Sequence, residues 1–98
     1  MLFVIQFRDA PERALIRKQQ MTAHLEFLKK HEAVVRVAGS LRREEDDSAA
    51  GGMWIVEAMS FEEAKRLYRE DPFWTAGLRQ SVEIHRLAKA FPDVERRV

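Results

Sequence analysis

The sequence predicts an α+β fold in which two helices lie against a four-stranded antiparallel sheet, in the order β-α-β-β-α-β. Three observations carry this expectation. Hydrophobic periodicity alternates between strand-like and helix-like runs in that order, and a helix-start signal stands at residues 60–63. The 98 residues, 46% apolar and 34% charged, suit one globular domain spanning residues 1–98.

Residues 2–7 form a β-prone run that ends at Arg8-Asp9-Ala10-Pro11. From residue 12 the period lengthens. Ala14, Leu15, Met21, Leu25 and Leu28 recur at three- and four-residue multiples, which predicts a helix to about residue 31 with its apolar stripe centred on Leu25. Residues 33–41 return to strand character through Val34, Val35 and Val37, and Gly39-Ser40 is expected to bend or end that strand. Residues 42–52 are polar and close on Gly51-Gly52, so they read as the long loop of a hairpin whose second strand is residues 53–58.

Ser60-Phe61-Glu62-Glu63 is a capping box. The Ser60 hydroxyl can accept from the Glu63 amide while the Glu63 carboxylate reaches back to the Ser60 amide, which starts a helix running to about residue 70. Asp71-Pro72 interrupts that helix, because a residue before proline is driven out of the α region, and a short turn can restart at Pro72. Residues 82–87 form the last strand, and about residues 89–98 form a tail. No repeat, low-complexity segment or linker divides the chain. The order is the split βαβ arrangement of ferredoxin-like folds.

A sheet with one wet face should alternate apolar and polar residues. The first strand instead carries Phe3, Ile5 and Phe7 on one side and Leu2 and Val4 on the other; the third carries Trp54, Val56 and Ala58 opposite Met53 and Ile55. Two helices cover one side only. A second copy of the chain is the economical cover for the other, and a homodimer is expected.

Composition excludes several classes of function. Seventeen basic and sixteen acidic residues leave a net charge of +1, with no electrostatic footprint for nucleic acid or anionic lipid. The absence of cysteine removes disulfides, thiolate nucleophiles and cysteine-ligated zinc or iron–sulfur centres. No apolar run approaches a membrane span, and the apolar start lacks the basic residues and cleavage site of a signal peptide, so a cytoplasmic location is expected. No cofactor is expected either.

Three histidines can titrate near neutrality. His24 and His31 lie seven apart on one side of the first helix, about 10.5 Å along its axis, too far to share a metal, and no HxxxH, HxH or HExxH pattern occurs. No metal site is expected. His24 sits at the border of the apolar stripe, about 100° from Leu25, either as a simple boundary residue or with its imidazole open to a cleft. His31 near the helix end suits the dipole, and His85 faces away from Val82 and Ile84 in a structural role.

Asp71 before Pro72 has the pattern of a helix N-cap with proline at the first helical position. Alternatively its carboxylate accepts from a ring nitrogen of His24, fixing the tautomer and stabilising the imidazolium. Spacing leaves both open. Ser40 and Ser81 lack a GxSxG context, though Ser40 beside Gly39 can donate to a ligand. Gly51-Gly52 is no phosphate loop. Trp54, Phe73 and Trp74 either line an apolar pocket or belong to core and interface.

At these positions the chain resembles the YCII-related family of the dimeric α+β barrel superfamily, along nearly its whole length. The resemblance opens on Met-Leu-Phe-Val-Ile and continues through Ala23-His24-Leu25, Phe27-Leu28, Ala38-Gly39-Ser40-Leu41 and the Ser-Phe-Glu-Glu-Ala helix start. It ends with Asp71-Pro72-Phe73, Ala76-Gly77-Leu78 and the Val-Glu-Ile strand. It implies a ferredoxin-like subunit whose sheet packs on that of its dimer mate, and a His–Asp pair beside a cleft, carried by His24 and Asp71. Met21 stands where several members have a basic residue, a departure at the position of the anion contact that the resemblance implies; Arg17 is on the same helical side as His24.

By this resemblance His24 would move a proton at a carbon next to a carbonyl or phenol. Asp71 would stabilise the imidazolium, and Ser40, Arg17, Phe73 and Trp74 would bind substrate. The expected activity is of isomerase or lyase type, including dehydrochlorinase-like elimination, on a small aromatic, lactone or keto compound. The alternative is a non-catalytic dimeric module for a small ligand or a partner.

Overall fold

β1 (Leu2–Asp9), β2 (Val35–Arg42), β3 (Ala49–Glu57) and β4 (Arg79–Leu87) form one antiparallel sheet in the order β2-β3-β1-β4. A 3-10 turn at Pro11–Arg13 leads into α1 (Ala14–Lys30); α2 (Phe61–Arg69) and the short α3 (Pro72–Thr75) connect β3 to β4. This is the βαββαβ, ferredoxin-like order. The computed structural model describes residues 1–95 and 98. Among them no helix is long and apolar enough to cross a membrane, and no group of three or more histidine and acidic residues could hold a metal ion.

Period-two alternation decides what the sheet buries. Phe3, Ile5 and Phe7 of β1 pair with Val56, Trp54 and Gly52 of β3, and these side chains pack beneath Phe27 and Leu28 of α1 and Ala64, Leu67 and Tyr68 of α2. The rings meet edge to face, Phe7 on both Trp54 and Tyr68 with centroids 5.3 and 5.6 Å apart. Each such side chain taken from water contributes about 1.5–3 kcal/mol. On the opposite face, Val4 and Ile55 pair directly, as do Gln6 and Met53. Val37 and Leu87 join them through the flanking strands, so this outer surface is largely apolar at its centre.

Ser60 caps α2 by accepting from the Glu63 amide at 3.2 Å, which satisfies one of the free N–H groups of the first turn and is worth about 1 kcal/mol. The reciprocal half of the box is displaced by one residue, since Glu63 accepts from the Met59 amide at 3.0 Å. Gly39-Ser40 neither bends nor ends β2, which stays in the ladder to Arg42. Gly51-Gly52 belongs to β3 rather than to the loop, because Arg8 and Phe7 of β1 pair with them.

The apolar stripe of α1 requires correction. Leu15 and Leu25 are 64% and 55% exposed, whereas His24 is the one buried residue of the helix. The helix is rotated by about one residue from the orientation its leucines suggest, and Phe27 and Leu28 supply its apolar contact with the core.

Candidate functional site

The rotation of α1 aims His24 at the interhelical core, where α3 begins. Asp71 occupies the N-cap position of α3 with extended backbone, yet its side chain makes no capping bond. It points instead at the helix above: Oδ1 lies 2.7 Å from Nδ1 of His24, and both side chains are buried. Facing a carboxylate, Nδ1 carries the proton and donates. Nε2 has no hydrogen-bond partner among the described residues. The Trp74 amide, one that an N-cap side chain could serve, donates instead to the Asp71 backbone carbonyl at 2.8 Å, and the carboxylate is left for His24.

Phe73, one residue beyond, stacks on the imidazole with centroids 3.8 Å apart and planes within 6°. The stack fixes the ring plane while Asp71 fixes its rotation. Arg17, two turns earlier on α1, places its guanidinium carbon 5.2 Å from the centre of the same phenyl ring. It donates to Asp9 Oδ2 at 2.5 Å and to the Gly51 carbonyl at 3.3 Å. Asp9 and Arg17 also line a cleft of about 280 Å³ with Pro11, Arg43 and Ser48; His24, Asp71 and Phe73 are not among its lining residues.

Sequence reasoning passed over two members of this cluster. Asp9 is buried and also accepts from Nη1 of Arg79 at 2.6 Å, and the Arg79 side chain is 2% exposed. The signal for Asp9 was available: it continues the odd-numbered face of Phe3, Ile5 and Phe7, so a carboxylate stands in phase with the core. Arg79 had no such signal. The β1–β4 register shifts between Arg8 and Asp9, which breaks the alternation that would have placed it. Burial pushes its guanidinium below its ordinary value, and the hydrogen bond and charge of Asp9 act in the opposite direction.

The other expected residues fall elsewhere. Trp74 meets Tyr68 edge to face with centroids 4.9 Å apart, so the structure sets Phe73 rather than Trp74 on the imidazole. Consecutive helical residues diverge by about 100°, and only one can face α1. Ser40 lies across from Gly52 on β2, and its hydroxyl accepts from Nε of Arg42 at 2.7 Å. His31 is the C-cap of α1 with its ring 4.5 Å from Phe27, and His85 pairs with Val4 on the outer sheet face.

Residues 1–88 match the YCII-related domain. Among solved structures, the 5-chloro-2-hydroxyhydroquinone dehydrochlorinase TftG from Burkholderia phenoliruptrix, in complex with 2,5-dihydroxybenzoquinone, is similar with a TM-score of 0.81 and 32% identity, covering 90% of this chain and 94% of that one. Protein Atu4242 from Agrobacterium tumefaciens shares the fold with a TM-score of 0.52 and 19% identity over 92% of this chain and 94% of its own. PA3566 from Pseudomonas aeruginosa does so at 0.51 and 16%, over 90% and 91%. No curated protein matches the chain.

Proposed function

The chain belongs to the YCII-related family, and on that footing we propose that it is a small acid–base enzyme of isomerase or lyase type whose base is His24. The observation that carries this is the buried Nδ1–H···Oδ1 bond of 2.7 Å between His24 and Asp71, which leaves Nε2 as the ring's available base. In an elimination, Nε2 takes a proton, the electrons of the broken bond form the new double bond, and a leaving group such as chloride departs. The net loss is then HCl. Asp71 stabilises the imidazolium as it forms. Similarity to a dehydrochlorinase of a chlorinated hydroxyhydroquinone supports a small aromatic, lactone or keto substrate. Phe73 and Arg17 supply a ring surface and a cation beside the base.

Chloride release from 5-chloro-2-hydroxyhydroquinone tests this reading. The wild-type chain is expected to release chloride, and His24→Gln to do so about 100-fold more slowly or worse. Equal rates in both would remove His24 from the chemistry, and no release from the wild type would exclude this substrate. Because His24 is only 7% exposed in the single chain, a second reading also has support: a non-catalytic dimeric module that binds a small ligand or partner. Under it, His24→Gln leaves ligand binding intact.

The homodimer is part of both readings. The outer sheet face presents Val4, Val37, Met53 and Ile55, and a separate concavity of about 660 Å³ is lined by Gln6, Arg8, Leu41 and Glu83 among others. Two such faces packed together would cover apolar surface on both chains. Ile55→Asp places a charge at the centre of that face and is expected to convert a dimer to a monomer in light scattering at micromolar concentration. A wild-type chain that is already monomeric there would count against the dimer.

A further inference from the structure

Asp71 is fully buried, and its second oxygen, Oδ2, is enclosed without a hydrogen-bond partner. A carboxylate taken out of water in this way needs a counter-charge nearby. His24 supplies a hydrogen bond but, in the base form, no charge. Arg17 and Arg79 place their guanidinium carbons 5.2 and 5.1 Å from the centre of the Phe73 ring that follows Asp71, and of the two the Arg79 side chain is the more deeply buried, at 2% exposed against 18%. We propose that Arg79 is a positioning residue of the His24–Asp71 pair: its buried guanidinium balances Asp71 and thereby sets how readily His24 accepts a proton. This rests on the reading of His24 as the base.

Three features place the guanidinium. It lies 4.5 Å from the centre of the Phe7 ring and 5.1 Å from that of Phe73. Phe73 stacks on His24 at 3.8 Å, so no more than about 9 Å separates the guanidinium carbon from the imidazole centre. Gly52 keeps the space open, since a Cβ there would come within 3.0 Å of Arg79 Nη2 and 3.2 Å of the Gly39 carbonyl. The Nε–H of Arg79, like Oδ2 of Asp71, is enclosed without a partner. Among the influences on the Arg79 guanidinium is the charge of Asp71 itself.

The charges then balance in one protonation state. Asp9 from β1 is shared between Arg17 of α1 and Arg79 of β4, which leaves one positive charge over. Asp71, at the start of α3, cancels it when His24 is neutral. α2 contributes the Tyr68 ring at the edge of Phe7, with Arg69 beyond it 6.0 Å from the ring centre, and β3 contributes Trp54. Arg43 shares a cleft with Asp9 and Arg17 but donates to the Ser48 hydroxyl and the Ala49 carbonyl. A proton on His24 adds one positive charge that these groups leave unbalanced. Removing Arg79 reverses that balance, and removing the Asp9 charge deepens it.

Opposite signs make the test decisive. His24 is titrated by its imidazole ¹⁵N signals in the full chain and in Arg79→Met, Arg79→Lys and Asp9→Asn, each checked for folding by circular dichroism. At this separation a unit charge in a partly polarisable interior is worth roughly a tenfold change in proton affinity. Arg79→Met is expected to raise the proton affinity of His24 about tenfold. Arg79→Lys should stay within about threefold of the wild type, and Asp9→Asn should lower it several-fold. Merely loosened packing would not move two variants in opposite directions. No movement, or movement of both in one direction, overturns the proposal. If Arg79→Met does not fold, Asp9→Asn decides alone: a fall supports the proposal, and no change or a rise overturns it. Because the readout is titration rather than turnover, the charge balance can hold even if His24 proves non-catalytic, and it can fail while His24 still serves as the base.

Discussion

Asp71→Asn is expected to lower turnover by roughly 10²–10⁴-fold while the chain stays folded. The amide is the same size as the carboxylate, so the Phe73 stack and the start of α3 at Pro72 persist. What disappears is the negative charge 2.7 Å from Nδ1. The imidazolium formed in the reaction then lies close to Arg79 with no carboxylate against it, and the transition state loses its stabilisation. The asparagine amide can also donate to Nδ1, which would put the ring's proton on Nε2 and remove the base. Steady-state turnover, with circular dichroism to verify folding, checks this. A variant with turnover within threefold of the wild type would show that the pair is structural.

The largest effect on stability is expected from Gly51→Ala. An added Cβ would lie 1.9 Å from the Phe7 carbonyl oxygen, 2.9 Å from its carbon and 3.2 Å from the Arg8 Cα. All three are backbone atoms, so no side-chain rotation can relieve the contact. Gly51 pairs with Arg8 on one side and Leu41 on the other, next to register shifts between Arg8 and Asp9 and between Leu41 and Arg42. Accommodating a methyl group means separating β1 from β3 beside the buried aromatic cluster, at a cost of about 3 kcal/mol or more. It would also move the Gly51 carbonyl that holds Arg17. Urea denaturation measures the loss, and one below about 1 kcal/mol would show that the strands can part freely.

These two residues mark different degrees of legibility. The order of elements followed from local periodicity, from the Ser60 cap and from the break at Asp71-Pro72. Each of these depends on residues within one turn or one strand of each other. The two-faced strands also read directly, because alternation along a strand is a local property. The orientation of α1 did not. Its leucines point outward, and a side chain that is polar but buried against a partner looks, by composition, like part of the wet face. His24 was therefore placed at a border when it is the buried residue of the helix.

The sequence by itself determined the βαββαβ order, the division of β1 and β3 side chains into two apolar faces, and the family to which the chain belongs. It also supplied His24 and Asp71 as residues worth pairing, though only resemblance favoured the pair over a helix cap. Tertiary structure alone decided that Asp71 turns from its own helix to His24, forty-seven residues away, and that Phe73 rather than Trp74 covers the ring. It alone gathered Asp9, Arg17 and Arg79 behind them. The reason is physical. Periodicity and capping are set by neighbours along the chain, whereas the pairing of buried charges is set by which helix turn and which strand register meet across the core. A single shift between Arg8 and Asp9 is enough to hide that from the sequence.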